Sequence, residues 1–298
     1  MSNATRVLTV LLVTAWTATT LAGEPEVNWA QFRGPRADGS TATSDLALRW
    51  SETENVTWKT PIAHRGWSSP VIWGKQVWMT TATKDGKVMY AVCVDADGGR
   101  VVHNIKLFEN AKPEHCNPLN SYASPTPCIE AGRVYVHFGT YGTACLDTAT
   151  GKVIWQRRDL HCDHAQGPGS SGVLHDGKLY LIFDGMDVQF VIALDATTGK
   201  TVWKTPRNVK FSSNDPDRHK AFSTPLLIET PAGKQLVACG ADFAMAYDPA
   251  TGREIWRANY SGGIRQRPGR SLSPGWCWSI PATTGHGSWR SARTARAT

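Results

Sequence analysis

The sequence predicts an all-β chain of repeated four-stranded antiparallel blades, and three observations carry that expectation. First, one short string recurs four times: an apolar residue, Asp, small polar residues, Gly, a basic residue and, three positions later, a large ring. The copies occupy residues 94–103, 146–155, 194–203 and 247–256, with Asp95, Asp147, Asp195 and Asp248 spaced 52, 48 and 53 apart. Second, each period holds four short runs of β-branched and aromatic residues punctuated by Gly turns, a strand pattern rather than a helical one. Third, a repeat of about fifty residues buries its apolar faces only by stacking on its neighbours, as the blades of a β-propeller do.

Each unit reads the same way. The first run follows a Ser- or Thr-rich corner, at 69–73, 126–129, 171–174 and 224–228, and Pro suits the first strand residue because no ladder donor is needed there. A Gly-basic turn leads into the second run, at 76–80, 134–138, 179–183 and 236–239. The third run ends on the repeated Asp. Its carboxylate can accept backbone N–H bonds in a tight turn while Gly151, Gly199 and Gly252 supply positive φ. The fourth run carries Trp155, Trp203 and Trp256, whose large rings suit a wedge between neighbouring sheets. Because Asp147, Asp195 and Asp248 recur once per blade, they read as turn residues, not as a catalytic pair. His103 replaces Trp in the first copy, which predicts a looser contact. Complete blades fall at about 70–106, 126–158, 172–207 and 224–258.

The ends differ from the repeats. Arg6, an apolar stretch at 7–15 and Thr20-Leu21-Ala22 make residues 1–22 a signal peptide, too short to span a membrane. No Cys follows Leu21-Ala22-Gly23, so no lipid anchor is expected; the mature chain is expected to be exported, periplasmic or extracellular, without membrane insertion. Residues 23–54 form a leader and 55–263 an incomplete propeller. Residues 55–60 match a fourth strand, expected to complete a last blade whose other strands are absent, which leaves an open arc. The tail, 264–298, breaks the periodicity. Plausible codons for it, read in another frame, restore a Pro-apolar first strand and an apolar second one; the alternatives are a frame change or a disordered basic tail. The formal charge of +7 belongs to the ends: the tail holds six Arg and no acid, whereas residues 23–263 hold 25 basic and 25 acidic residues. A balanced propeller has no electrostatic footprint for nucleic acid.

The string Asp-x-x-Thr-Gly-x-x-x-Trp, best kept at 147–155 and 195–203, resembles the tryptophan-docking motif of PQQ-type, quinoprotein-like β-propellers. Trp29-Ala30-Gln31-Phe32-Arg33-Gly34-Pro35 resembles the leader before the first blade of their secreted bacterial members, and the chain is also similar to barrel-assembly propeller lipoproteins. WD40 is disfavoured because no Gly-His…Trp-Asp pairing recurs. The resemblance implies fold more firmly than chemistry, since many members bind no PQQ. Members that are dehydrogenases hold PQQ and calcium beside an adjacent Cys pair and an acidic base; this sequence has no adjacent Cys pair and about half the blades. No cofactor is therefore expected, PQQ being disfavoured.

Binding residues concentrate on long loops of a rigid scaffold, and the connections between blades are long, at 107–124, 159–171 and 208–222. Arg65, Trp67, Asn120, Tyr122, His164, Gln166, Lys220 and Phe222 sit where these connections near the axis, either as a ligand site or merely packing their own loops. The strings Glu114-His115-Cys116-Asn117 and His161-Cys162-Asp163-His164 hold metal-ligand residue types without a zinc-ribbon spacing, so no metal is expected. Cys116 and Cys162 occupy equivalent loop positions, open to a disulfide or to two free thiols. Cys93, Cys128, Cys145 and Cys239 read as core. No Gly-rich phosphate cradle or Ser-His-Asp set is present. The sequence reads as a binding or scaffold module for an unknown protein or small molecule, without its own catalysis; the alternative is a fragment of a PQQ-dependent oxidoreductase.

Overall fold

A computed structural model describes residues 28–41, 43 and 46–260; the expected signal peptide, the tail and Cys277 lie outside them. Among the described residues, sixteen strands form four separate antiparallel sheets, each in sequential order. Blade one holds β1 (Val71–Trp73), β2 (Gln76–Ala82), β3 (Val88–Asp95) and β4 (Val101–Glu109). Blade two holds β5 (Cys128–Glu130), β6 (Arg133–His137), β7 (Thr143–Asp147) and β8 (Val153–Arg157). Blade three holds β9 (Val173–His175), β10 (Lys178–Asp184), β11 (Gln189–Asp195) and β12 (Thr201–Pro206). Blade four holds β13 (Leu226–Thr230), β14 (Gly233–Cys239), β15 (Phe243–Tyr247) and β16 (Glu254–Asn259). This is the all-β, open array of blades that the repeat predicts.

The core lies between blades, and the two-residue period of a strand explains how one strand serves two boundaries. In β6, Val134 and Val136 pack toward blade one while Tyr135 packs toward blade three. In β10, Leu179, Leu181 and Phe183 join the second boundary, and Tyr180 and Ile182 join the third with Leu236, Phe243 and Met245. The middle strands are thus apolar on both faces. The outer strands alternate instead: Val153, Ile154 and Val202 are exposed while Trp155 and Trp203 are buried.

Register shifts recur at one place per blade, at Cys93/Val94, Cys145/Leu146, Ala193/Leu194 and Ala246/Tyr247, just before the repeated Asp. Each is a bulge that ends the third strand and tightens its twist into the turn. At the third boundary Arg207 and Asp184 form a buried ion pair, both fully buried, with Arg207 Nη2 donating to the Ala238 carbonyl at 2.6 Å. Arg207 also lies over the Phe243 ring, 4.3 Å from its centre.

Residues 55–60, which match a fourth strand whose other strands are absent, form no strand. The segment is held instead by its ring: Trp58 Nε1 donates to the Ala96 carbonyl at 2.7 Å, and the indole covers Gly99. The leader has a place as well. Trp29 exchanges both backbone bonds with Ile72 at 2.9 Å, and the Ala30 carbonyl accepts from Ile129 at 2.9 Å. It therefore bridges the innermost strands of blades one and two.

Candidate functional site

The repeated turns are built by their Asp. Asp147 Oδ1 accepts from the amides of Ala149 (3.1 Å) and Thr150 (2.7 Å) and from Thr150 Oγ1 (2.7 Å). Asp195 repeats the pattern with Thr197 and Thr198, and Asp248 accepts from the amides of Ala250 and Thr251. These bonds, the Thr hydroxyl foremost, hold the Asp147 and Asp195 carboxyls below the usual range. Gly151, Gly199 and Gly252 have φ of 72°, 70° and 71°, and each faces a ring: a methyl on Gly199 would come within 2.6 Å of Trp155 and one on Gly252 within 2.5 Å of Trp203.

Each turn receives a side chain from the preceding segment. Trp155 Nε1 donates to the Ala196 carbonyl at 2.8 Å and Trp203 Nε1 to the Pro249 carbonyl at 3.0 Å, the carbonyl in each case following the repeated Asp. Trp58 makes the same contact on Ala96. His103 lies on Gly151, but its Nε2 is buried without a hydrogen-bond partner. Gln76 fills that gap, its Nε2 donating to the Thr148 carbonyl at 2.9 Å. Trp256 bonds Gln235 Oε1 of its own blade at 2.8 Å.

The inner ends of the blades are joined by hydroxyls. The amide of Ser69 donates to Thr126 Oγ1 at 3.0 Å, that of Thr126 to Ser171 Oγ at 2.9 Å, and that of Ser171 to Thr224 Oγ1 at 3.1 Å. The corners are visible in the sequence; the relay between them is not.

Among the candidate ligand residues, the structure brings several together and spends much of their polarity internally. Asn120 Nδ2 donates to the carbonyls of Gln166 (2.8 Å) and Pro168 (3.2 Å), and Asn117 Nδ2 donates to Gln166 Oε1 at 2.8 Å. The Gln166 amide donates to the His164 carbonyl at 2.6 Å. His164 is buried, accepts from the Thr140 amide at 3.2 Å, and is pushed down to about 4 by that burial. Tyr122 donates to the Glu114 carbonyl at 2.8 Å. Arg65 lies over the exposed Trp67, whose Nε1 donates to the Leu119 carbonyl at 3.0 Å. Lys220 turns back to Asp217 within its own connection, whereas Phe222 packs on Gly169 of the preceding connection.

Cys116 and Cys162 are free thiols, and no disulfide joins them. Cys116 lies against Gly167 and the Gln166 carbonyl, and Cys162 against the His164 ring at 3.6 Å. Burial raises both thiols, Cys116 to about 11, which makes them poor nucleophiles.

The strings 114–117 and 161–164 meet at a cavity of about 460 Å³, lined by Glu114, His115, His161, Asp163, Ala165 and Met186. His161 Nε2 lies 3.5 Å from Glu114 Oε1, and its Nδ1 bonds Thr140 Oγ1. The Glu114 backbone is fixed on both sides: its amide donates to the Tyr141 hydroxyl at 3.1 Å and its carbonyl accepts from Tyr122. Burial raises the Glu114 carboxyl, against the opposing pull of His161. The Asp163 amide donates to Asp187 Oδ1 at 2.7 Å, which sets a third, exposed carboxylate beside Asp163. Among the described residues, no three His, Cys, Asp or Glu are arranged to hold a metal ion.

A protein-family model described as outer membrane protein assembly factor BamB matches residues 47–229 and 187–295. The chain belongs to this PQQ-like β-propeller family. Similar members include methanol dehydrogenase (cytochrome c) subunit 1 of Methylobacterium organophilum, 27% identical over 171 residues, 53% of this chain and 27% of that protein. The quinohemoprotein alcohol dehydrogenase of Comamonas testosteroni is 32% identical over 143 residues, 44% of this chain and 19% of that protein. Among solved structures, BamB from Moraxella catarrhalis aligns with a TM-score of 0.40 at 16% identity, covering 63% of this chain and 56% of that one. The chain thus spans about a quarter of the length of the curated relatives it matches. The family joins PQQ enzymes to an assembly factor. No described helix is long and apolar enough to cross a membrane.

Proposed function

We propose that this PQQ-like propeller is an exported binding module without its own catalysis, its ligand held where the blade-to-blade connections converge. One observation carries the reading: the connections 107–124 and 159–171 are locked together through Asn117, Asn120 and Gln166, yet leave a cavity between them. That is a rigid frame around an open space, as a binding site requires. The partner is a protein or a small molecule; the even charge balance of residues 23–263 gives nucleic acid no support. Export rests on the sequence of residues 1–22, and the mature chain should begin at Gly23, which mass measurement of periplasmic material tests.

The second reading, a fragment of a PQQ-dependent oxidoreductase, is favoured by the dehydrogenase relatives. Against it stand the lack of an adjacent Cys pair in the sequence and a blade count about half that of the dehydrogenases. Adding PQQ and calcium should therefore produce neither a bound-quinone absorbance nor dye-linked alcohol oxidation. A turnover signal with these additions would reverse the assignment.

A further inference from the structure

The cavity between the two connections is more specific than a generic opening. Its walls present the Glu114 and Asp163 carboxylates and the His115 and His161 imidazoles, with the Met186 thioether as the apolar element and no Lys or Arg. Its volume lies within the range of about 300–1,000 Å³ typical of small-ligand sites. Among the described residues, neither acidic side chain is paired with a Lys or Arg. Glu114 meets His161 at 3.5 Å, which is longer than a hydrogen bond. Asp163 Oδ1 accepts from the Ala165 amide at 2.9 Å, a local turn bond.

The frame that holds these groups is expensive for a merely solvated surface. Two tyrosine hydroxyls fix the Glu114 backbone, Thr140 fixes His161, and the Met186 amide is tied to the Asp163 carbonyl at 2.8 Å. Ala165, on the wall, has a φ of 56°, in the left-handed region. A half-buried carboxylate with only an imidazole beside it, and no Lys or Arg, is incompletely compensated, and burial raises Glu114 against the pull of His161. Asp187, held on the Asp163 amide, adds to the negative field at Glu114.

We propose that this cavity binds a primary ammonium group on a short apolar stem, with Glu114 as its main counter-charge and Asp163 as the second. The imidazole edges of His115 and His161 supply acceptors or aromatic faces for the cation, and Met186 covers the methylenes. The proposal rests on the binding-module reading and gives that module its ligand chemistry. A free diamine and a lysine side chain present the same group, so both are tested.

The experiment is calorimetric titration of the full chain at low salt with 1,4-diaminobutane, with Nα-acetyl-lysine methylamide, and with 1-butanol and butyrate as controls. At least one of the two amines should bind saturably, 1-butanol weakly, and butyrate not at all. Binding only by the lysine derivative assigns the source to a protein partner's side chain, and binding only by the diamine assigns it to a small molecule. Glu114→Gln should weaken binding by about tenfold or more, the usual loss for a charge-assisted hydrogen bond. Asp163→Asn should weaken it less, and raised ionic strength should weaken it in the wild type. Because the butyrate and salt arms use the unaltered protein, a variant that fails to fold leaves the test intact. Equal binding of butyrate, no binding of either amine, or an unchanged affinity in a folded Glu114→Gln variant would overturn the proposal. The PQQ titration is independent: turnover there removes the non-catalytic reading, whereas absent amine binding with no turnover removes only the ligand class.

Discussion

Trp203 and Pro249 lie 46 residues apart, yet the indole Nε1 of one donates to the carbonyl of the other at 3.0 Å, closing the boundary between blades three and four. The ring is buried on the turn that Asp248 and Gly252 shape. Trp203→Ala should cost about 3–5 kcal/mol in a urea titration, the usual loss for truncating a buried large aromatic. Trp155→Ala should cost a similar amount. His103→Ala should cost less, because Gln76 supplies the hydrogen bond that His103 lacks. A loss below about 1 kcal/mol at Trp203 would show that the boundary does not depend on the ring.

The two connection cysteines offer a covalent check. Cys116 and Cys162 are free in the fold. In denaturant, both should react with a thiol reagent without prior reduction. Recovery of either one only after reduction would show that the exported protein has oxidised it.

Acid should destabilise the protein partly through His164. Burial lowers its imidazole to about 4 from 6.5, so the folded state binds a proton less readily than the unfolded chain. Its contribution is therefore present above about pH 6.5 and lost as pH falls toward 4, about 2 kcal/mol by pH 5. Asp184 works in the opposite sense: burial raises it to about 6 against the pull of Arg207, and its contribution is lost as pH rises through that value. The difference in urea midpoint between pH 7 and pH 5 should shrink in His164→Gln, which keeps an acceptor for the Thr140 amide. An unchanged difference would remove His164 from the acid response.

Residues 264–298 carry six Arg and no acid and do not continue the spacing of the repeated Asp. If they are out-of-frame translation, deleting them should change stability by no more than about 0.5 kcal/mol, the range for changes away from packed features. A clear drop in melting temperature would instead make the segment, which the family model spans to residue 295, part of the folded array.

The blades were legible because their information is local. An Asp that bonds amides two and three residues on, and a Gly at positive φ, leave the same short string wherever they occur. Trp58 was legible only as a strand residue. Its role is a contact 38 residues away, made without any ladder, and the local match does not name that partner. Gln76 was silent for the same reason: nothing near it shows that Thr148, 72 residues on, lacks an indole donor. The cavity was half legible. Its two strings are conspicuous in composition, but their meeting depends on Asn117 reaching Gln166 across 49 residues.

The hydroxyl relay from Ser69 through Thr126 and Ser171 to Thr224 has a mechanical consequence. Every boundary is gripped near the axis by an amide-to-hydroxyl bond and farther out by a ring on a turn, so neighbouring blades cannot swing about either line of contact alone. Two grips at different radii resist both splaying and shear. Loss of order among the described blades should then travel one boundary at a time, as in other arrays whose units touch only those beside them.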